Sequence, residues 1–173
     1  MLTQERLKQV LYYNPHVGVF VWRDKSKPYK YGRTAGKVVA GRGYVTIAID
    51  KIPYTAHRLA WLYAYGSFPE HQVDHIDGDK SNNLLSNLRA ATQSQNSMNM
   101  KINASNTSGI KGVWMCKQTR KWAAVVRHNK RFVFREYFAE KDDAVAAIQA
   151  FRESFHGEFA NHGVHKYESE NTD

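Results

Sequence analysis

Residues Val73 to Asn96 read VDHIDGDKSNNLLSNLRAATQSQN, and the punctuation of this stretch decides the fold. A short apolar approach ends on Asp74 and His75, which reads as the end of a strand. Asp77-Gly78 and Asn82-Asn83 are turn formers. Thr92 followed by Gln95 has the spacing of a capping box, so a helix is predicted from about Gln93, with Asn96 in its first turn. The order is then strand, loop, strand, helix, and folding it back brings Asp74 toward Asn96.

That pairing has a chemical use. A carboxylate and an amide oxygen form a hard, half-filled ligand set suited to Mg²⁺ or Mn²⁺, with water and phosphate completing the shell. His75 shares the strand end but points to the other side of the pleat. An unliganded imidazole titrating near neutrality is a good general base for water attacking phosphorus. Asn82 and Asn83 read as turn chemistry alone. The bland alternative for Asp74-His75 is a polar pair on a surface loop.

These residues carry a resemblance. The segment looks like the HNH nuclease motif, the ββα-metal fold, through Asp74-His75, the central Asn87 and the closing Asn96. The approach AHRLAWLYAYGSFPEHQVDHIDGD, residues 56–79, is similar to the phage and intron-homing branch of that family, as is YNPHVGVFVWR, residues 13–23. The resemblance implies Asp74 and Asn96 as metal ligands, His75 as the base, and Asn87 as the pin of the loop that orients His75. Closing on Asn rather than His makes Zn²⁺ the less favoured ion. The implied activity is metal-dependent DNA hydrolysis leaving 5′-phosphate and 3′-hydroxyl ends, by nicking or by cutting both strands.

Composition agrees with a polyanionic partner. The chain has 173 residues, room for one good core or two small ones, and a net charge of +9. A hydrophobic content of 42% argues against disorder. The single Cys116 excludes an internal disulfide and a four-cysteine zinc site. No apolar run reaches membrane-spanning length, and MLTQERLKQV lacks the apolar core of a signal peptide. The expected setting is the cytoplasm of a prokaryotic or phage-infected cell, with double-stranded DNA as partner. No membrane and no protein partner are implied, and monomer and dimer both stay open.

Ahead of the motif, Thr3 to Tyr13 reads as an amphipathic helix with Leu7, Val10 and Leu11 on its apolar stripe, stopped by Asn14-Pro15. Residues 18–22 and 43–49 read as strands. Between them runs a basic, turn-rich stretch with Tyr29, Tyr31 and Tyr44 interleaved, suited to tracking phosphates or to a solvated hairpin. Thr55 to Tyr65 reads as a helix ended by Gly66. Arg58 on it is a candidate phosphate contact. His57 and His71 are weaker candidates for the site.

After Asn96 the texture turns polar and aperiodic. The expected division is a nuclease domain over 1–100 with its N-terminal helix and strand extension, a linker over 101–108, a second module over 109–163, and a frayed tail over 164–173. Residues 109–138 read as three consecutive strands with turns near Gln118-Thr119 and His128-Asn129. Alternation puts Lys121, Ala123, Val125 and Arg127 on one face and Trp122, Ala124 and Val126 on the other. A helix follows from about Glu140 to His156, with Val145, Ile148, Phe151 and Phe155 as its stripe. It should cover the Trp122 face and leave the Lys121/Arg127 face bare and basic. The fold class expected is α+β: an N-terminal HNH ββα-metal module, then a small three-stranded antiparallel sheet packed on one helix.

The second module resembles the ethylene-response-factor type of DNA-binding domain through KGV (111–113), RKWAAVVR (120–127), Tyr137-Phe138 and AVAAIQAFRESFHGEFANH (144–162). The resemblance implies duplex contacts from Lys111, Trp114, Lys121 and Arg127, joined by Arg120 and Arg131. Trp114, Met115, Cys116, Phe132 and Phe134 depart from its pattern, so the family's base preference does not transfer. Two other classes stand beside the endonuclease: a sequence-specific DNA-binding regulator with an inactive nuclease fold, and an RNA-binding protein, which would prefer single strands or A-form helices.

Overall fold

The computed structural model describes residues 1–100, 102 and 105–163. Helices and small antiparallel sheets alternate in two compact units, Met1–Ala91 and Thr92–Asp173.

The first unit begins with α1 (Gln4–Val10), capped by Thr3, whose hydroxyl accepts the Arg6 N–H. The helix stops three residues earlier than its periodicity predicts. Leu11–Asn14 is instead strand β1, because Leu11 pairs with Trp22 and Tyr13 with Phe20 on β2 (Val19–Trp22). Leu11 and Tyr13 fit either period; the cross-strand partner, invisible locally, selects the strand. β3 (Thr34–Ala35) extends this sheet.

A second sheet orders β4 (Lys37–Val38), β5 (Val45–Ile49) and β6 (Ile52–Thr55). The β5–β6 hairpin turns on Asp50 and Lys51, both at positive φ (50° and 67°), as two-residue hairpins require. Pro53 sits on the edge strand, where its missing N–H costs no ladder bond. Helix α2 (Ala56–Tyr65) follows and ends on Gly66 at φ 84°. The last pair, β7 (Gln72–His75) and β8 (Leu88–Ala91), is joined by a loop that closes in a 3₁₀ turn over Leu85–Asn87. Leu7, Leu11, Phe20, Ile47, Leu59 and Leu62 are all but fully buried and form the core. Each contributes about 1.5–3 kcal/mol by leaving water.

The second unit opens on α3 (Gln93–Met98). Its capping box is complete: the Thr92 hydroxyl accepts the Gln95 N–H at 3.2 Å, and the Gln95 amide oxygen accepts the Thr92 N–H at 2.8 Å. Strands β9 (Val113–Cys116), β10 (Lys121–His128) and β11 (Arg131–Phe138) form one antiparallel sheet with β10 in the centre. Helix α4 (Lys141–His156) packs on it, and Val113, Ala124, Val126, Ala144 and Ile148 are the core between them.

The backbone divides at 91/92, ahead of the linker expected over 101–108. The physical reason is that α3 is tied into the second unit. Lys111 Nζ donates to Met98 O at 2.8 Å and Met100 O at 2.7 Å, and the Asn161 amide donates to Asn99 O at 3.0 Å. Lys101, Asn103 and Ala104 of that expected linker, and the expected tail over 164–173, lie outside the described residues.

Two expectations for the second unit are corrected. The buried line of α4 is Ala144, Ile148 and Arg152, with Phe151 beside it; Val145 is only half-buried and Phe155 is 44% exposed, stacked on Phe151 at 5.3 Å. Four-residue spacing keeps one line on the sheet, and Phe155 lies off that line. Nor is the Lys121/Arg127 face bare. Between those exposed ends Ala123 is 0% and Val125 8% exposed, with Trp114 and Tyr137 as cross-strand neighbours of Ala123. Phe132 spreads on the same region under two guanidinium groups, Arg127 at 4.4 Å and Arg135 at 5.2 Å from its ring centre. Small residues flanked by large ones are covered by them, which alternation alone does not reveal.

Candidate active site

The site is built on the β7–β8 hairpin. Register places Asp74 opposite Arg89 and His75 opposite Leu88. Asp74 is 5% exposed, and its Oδ2 accepts from both Nε and Nη2 of Arg89, each at 2.9 Å. This cross-strand ion pair holds the carboxylate at one angle and offsets its charge in a place poorly reached by water.

The loop between the strands is a hydrogen-bonded cage rather than a simple turn. The Asn87 side chain, 5% exposed, accepts the Asp77 N–H at 3.0 Å and donates to Asp77 Oδ1 and Asn82 O, both at 2.9 Å. Asn82 Nδ2 donates to Asp77 Oδ2, and Asp77 Oδ1 also accepts the Asp79 N–H. Backbone bonds from Ile76 N to Asn87 O and from Gly78 N to His75 O close the cage directly against the imidazole.

His75 is 4% exposed, and its Nε2 lies 3.5 Å from Asn83 Oδ1. The Asn83 amide is oriented by its own donation to Ser81 O at 2.8 Å, so oxygen faces the ring. That orientation selects the tautomer with hydrogen on Nε2 and the basic lone pair on Nδ1. Asn83 is held in turn by the N-terminal sheet. The Tyr13 hydroxyl, its pKa pushed up to about 12 by burial, donates to Asn83 O at 2.7 Å. Gly18, at φ 67°, lets the β1–β2 turn approach so closely that an added Cβ would sit 2.5 Å from Leu84 N.

Rings enclose His75 on another side. His57 of α2 meets it edge to face at 4.8 Å, and Tyr44 lies 5.1 Å from His57 and 6.0 Å from His75. Burial lowers the pKa of both imidazoles. For His75 the Asn83 contact and the carboxylates of Asp77, Asp74 and Asp79 work against that lowering. His57 falls to about 3, with the neighbouring His75 and Arg58 adding to burial, and its Nδ1 is buried without an acceptor or donor. Both rings are therefore neutral near pH 7, and a neutral His75 is the form that can accept a proton.

The remaining candidates lie on other elements. Asn96 is half-buried on α3, in the second unit. Arg58 is exposed with its guanidinium 5.1 Å from the Phe68 ring centre, and His71 is exposed. Trp114, Arg120, Lys121, Arg127 and Arg131 are exposed in the second unit. Lys111 is half-buried: its ammonium donates to the carbonyls at the end of α3, and burial pulls its pKa down to about 8. Sequence reasoning missed Arg89 and Asn83. Arg89 could have been found by placing the two strands in register; nothing local separates Asn83 from Asn82.

A strand ending on a buried carboxylate and imidazole, an asparagine-braced loop, a return strand and then a capped helix define, in that order, a nuclease module of the ββα type. Comparison with known proteins agrees. Residues 54–98 match the family described as HNH endonuclease. Protein 3.8 of Escherichia phage T7 is 40% identical over 106 residues, covering 60% of this chain and 86% of that protein. An uncharacterized HNH endonuclease, L560, of Acanthamoeba polyphaga mimivirus is 31% identical over 147 residues, covering 84% of this chain and 68% of that protein. No solved structure matches the chain. This chain belongs to the HNH endonuclease family. The match places the module mid-chain, at 54–98, rather than over the whole N-terminal hundred residues.

Members of this family generally use a divalent metal, and the donors present suit a hard one. Asp74 offers carboxylate oxygen from a buried strand end. Among the described residues no three His, Cys, Asp or Glu side chains converge as a ligand set. A small hard cation that keeps most of its waters needs only one or two protein oxygens, and a carboxylate such as that of Asp74 suits it. No helix among the described residues is long and apolar enough to cross a membrane.

Proposed function

We propose that this chain is a metal-dependent DNA endonuclease of the phage or homing type, hydrolysing double-stranded DNA to 5′-phosphate and 3′-hydroxyl ends. The observation that carries the reading is the buried neutral His75, oriented by Asn83 beside the carboxylate of Asp74. His75 Nδ1 takes a proton from a water, and the hydroxide attacks phosphorus in line with the departing 3′ oxygen. Asn83 holds the Nε2–H, keeps Nδ1 basic and steadies the imidazolium that forms. Asn87 keeps the loop, and so the ring, in place. Asp74 and Asn96 would hold the Mg²⁺ or Mn²⁺, which supplies charge neutralisation at the phosphate and at the leaving oxygen. Arg89 orients the Asp74 carboxylate. The second unit grips the duplex as an ethylene-response-factor-type module through Trp114, Lys121, Arg127, Arg120 and Arg131, with Arg58 touching a phosphate from the first.

The test is plasmid cleavage with Mg²⁺ or Mn²⁺, comparing the native chain with His75→Ala and Asp74→Ala. Loss in both variants, with DNA binding kept, supports the assignment; equal cutting by His75→Ala refutes the base. One observation favours the second reading, a DNA-binding regulator with an inactive nuclease fold: Arg89 places two donors on Asp74 Oδ2. That reading expects specific binding and no cleavage with any divalent ion.

A further inference from the structure

In the second unit a groove of about 1180 Å³ runs between α3, the β10–β11 turn and the last turns of α4. Its donors include Ser94, Arg127, Lys130, Arg152 and His156, and among the described residues no Asp or Glu lines it. Arg152 belongs to the lining although it is only 3% exposed, so it forms the floor. Its Nη2 donates to Lys111 O, but its Nη1 is buried with no acceptor. Both ring nitrogens of His156 are buried without partners as well. Buried arginine is rare unless paired, and an unmade bond to a buried charged donor is strongly unfavourable.

The groups around the floor reinforce one another. Burial lowers the Arg152 pKa to about 10 and that of His156 to about 4, and Arg152, Lys111, His128 and His162 add their repulsion at His156. Positive charge is concentrated here, and among the described residues no carboxylate lines the groove to balance it. The missing partner is an anion with several acceptor oxygens. Phosphate suits a guanidinium flanked by hydroxyls and an imidazole. The volume exceeds what a lone phosphate fills and matches an extended ligand. Arg127 and Lys130, both exposed, also line the groove and can meet neighbouring charges on such a ligand.

We propose that this groove seats the sugar–phosphate backbone of a nucleic-acid strand, its phosphates held by the exposed Lys130 and Arg127 over the buried Arg152 guanidinium of the floor. The choice of a nucleic-acid strand rests on the nuclease reading above; the phosphate chemistry does not. The groove would anchor substrate through Ser94, Lys130 and Arg152, which are not among the duplex contacts assigned to the sheet.

The experiment uses the full chain in chelator, so that no cutting occurs, and follows arginine and histidine side-chain signals by NMR. The probes are inorganic phosphate, a short oligothymidylate and its uncharged methylphosphonate analogue. The oligothymidylate is expected to shift the Arg152 and His156 signals and to bind about tenfold or more tighter than inorganic phosphate, because it engages more than one cation. Arg152→Gln removes those shifts. Should that variant fail to fold, Ser94→Ala with Lys130→Ala, both peripheral, is expected to weaken binding about fivefold and flatten its salt dependence by about 0.7 in log–log slope. Oligothymidylate binding that leaves Arg152 and His156 unmoved overturns the site. Equal affinity for inorganic phosphate overturns the strand, and equal response to the methylphosphonate overturns the phosphate. A chain that shows these shifts yet never cuts DNA sinks the nuclease reading alone; one that cuts without them sinks only the groove.

Discussion

Replacing Asn87 by alanine should be the most damaging single change in the β7–β8 loop. The native side chain accepts one neutral N–H, donates to one carbonyl, and donates to the Asp77 carboxylate, all within 3.0 Å. Neutral bonds contribute about 0.5–1.5 kcal/mol each and a bond to a charged group about 1.5–3 kcal/mol, so the expected loss is roughly 4 kcal/mol. Asp77 is 8% exposed, and water cannot easily replace the lost partners. In a urea titration followed by tryptophan fluorescence, the unfolding midpoint of the first unit should fall by about 2 M. Asn87→Asp separates hydrogen bonding from shape. It is isosteric, yet it points a second carboxylate at Asp77 Oδ1 across the present 2.9 Å, and should be at least as damaging as alanine. Displacing the loop by about an ångström misplaces His75, so DNA cleavage by whatever folded protein remains should fall about a hundredfold. A midpoint shift in Asn87→Ala smaller than about 0.5 M, or native-like stability of Asn87→Asp at pH 7, would refute the cage as the loop's main support.

Other consequences are open to measurement. The rate of cleavage should rise with pH through the pKa of His75, which burial lowers below 6.5, so the acid limb lies on the acid side of that value. Asn83→Asp places a carboxylate against the Nε2–H, favours the imidazolium, and should move that limb up by about one unit or more; an unmoved limb sinks the orientation given to Asn83. His57, at about 3 in the folded chain against 6.5 unfolded, makes the unfolded state bind more protons across that window. Stability therefore falls as pH drops from 6.5 toward 3, and His57→Phe should flatten that part of a denaturation-versus-pH curve. In the second unit, Gly112→Ala should cost several kcal/mol, because at φ 71° its Cβ would lie 2.5 Å from Val125 O and 2.7 Å from Arg152 Nη2. Thermal unfolding of that variant within a few degrees of the native chain would contradict the close approach.

Local chemistry alone was enough for much of this protein. Thr92 and Gln95 announce α3, Gly66 announces the end of α2, and the turns at Gln118-Thr119 and His128-Asn129 mark out β9 to β11, because caps and turns are satisfied by neighbours in sequence. Asp74 and His75 stand out for the same reason: adjacent residues at a strand end need no long-range information to be seen. What lay beyond the sequence were partnerships between distant residues. Leu11 joins a strand because Trp22 lies opposite it. Asn83 faces His75 while Asn82 faces Asp77, although the two amides are neighbours in sequence. Lys111 and Arg127 are equally basic in the sequence, yet one ammonium is bound to helix carbonyls and the other cation lies over Phe132. Arg152 is singled out by nothing in the sequence, yet it is 3% exposed and packed against Gly112. Residue type and spacing determine what chemistry a segment can offer. Which donor meets which acceptor, and which charge is cut off from water, depends on burial and orientation, and only the packed chain decides those.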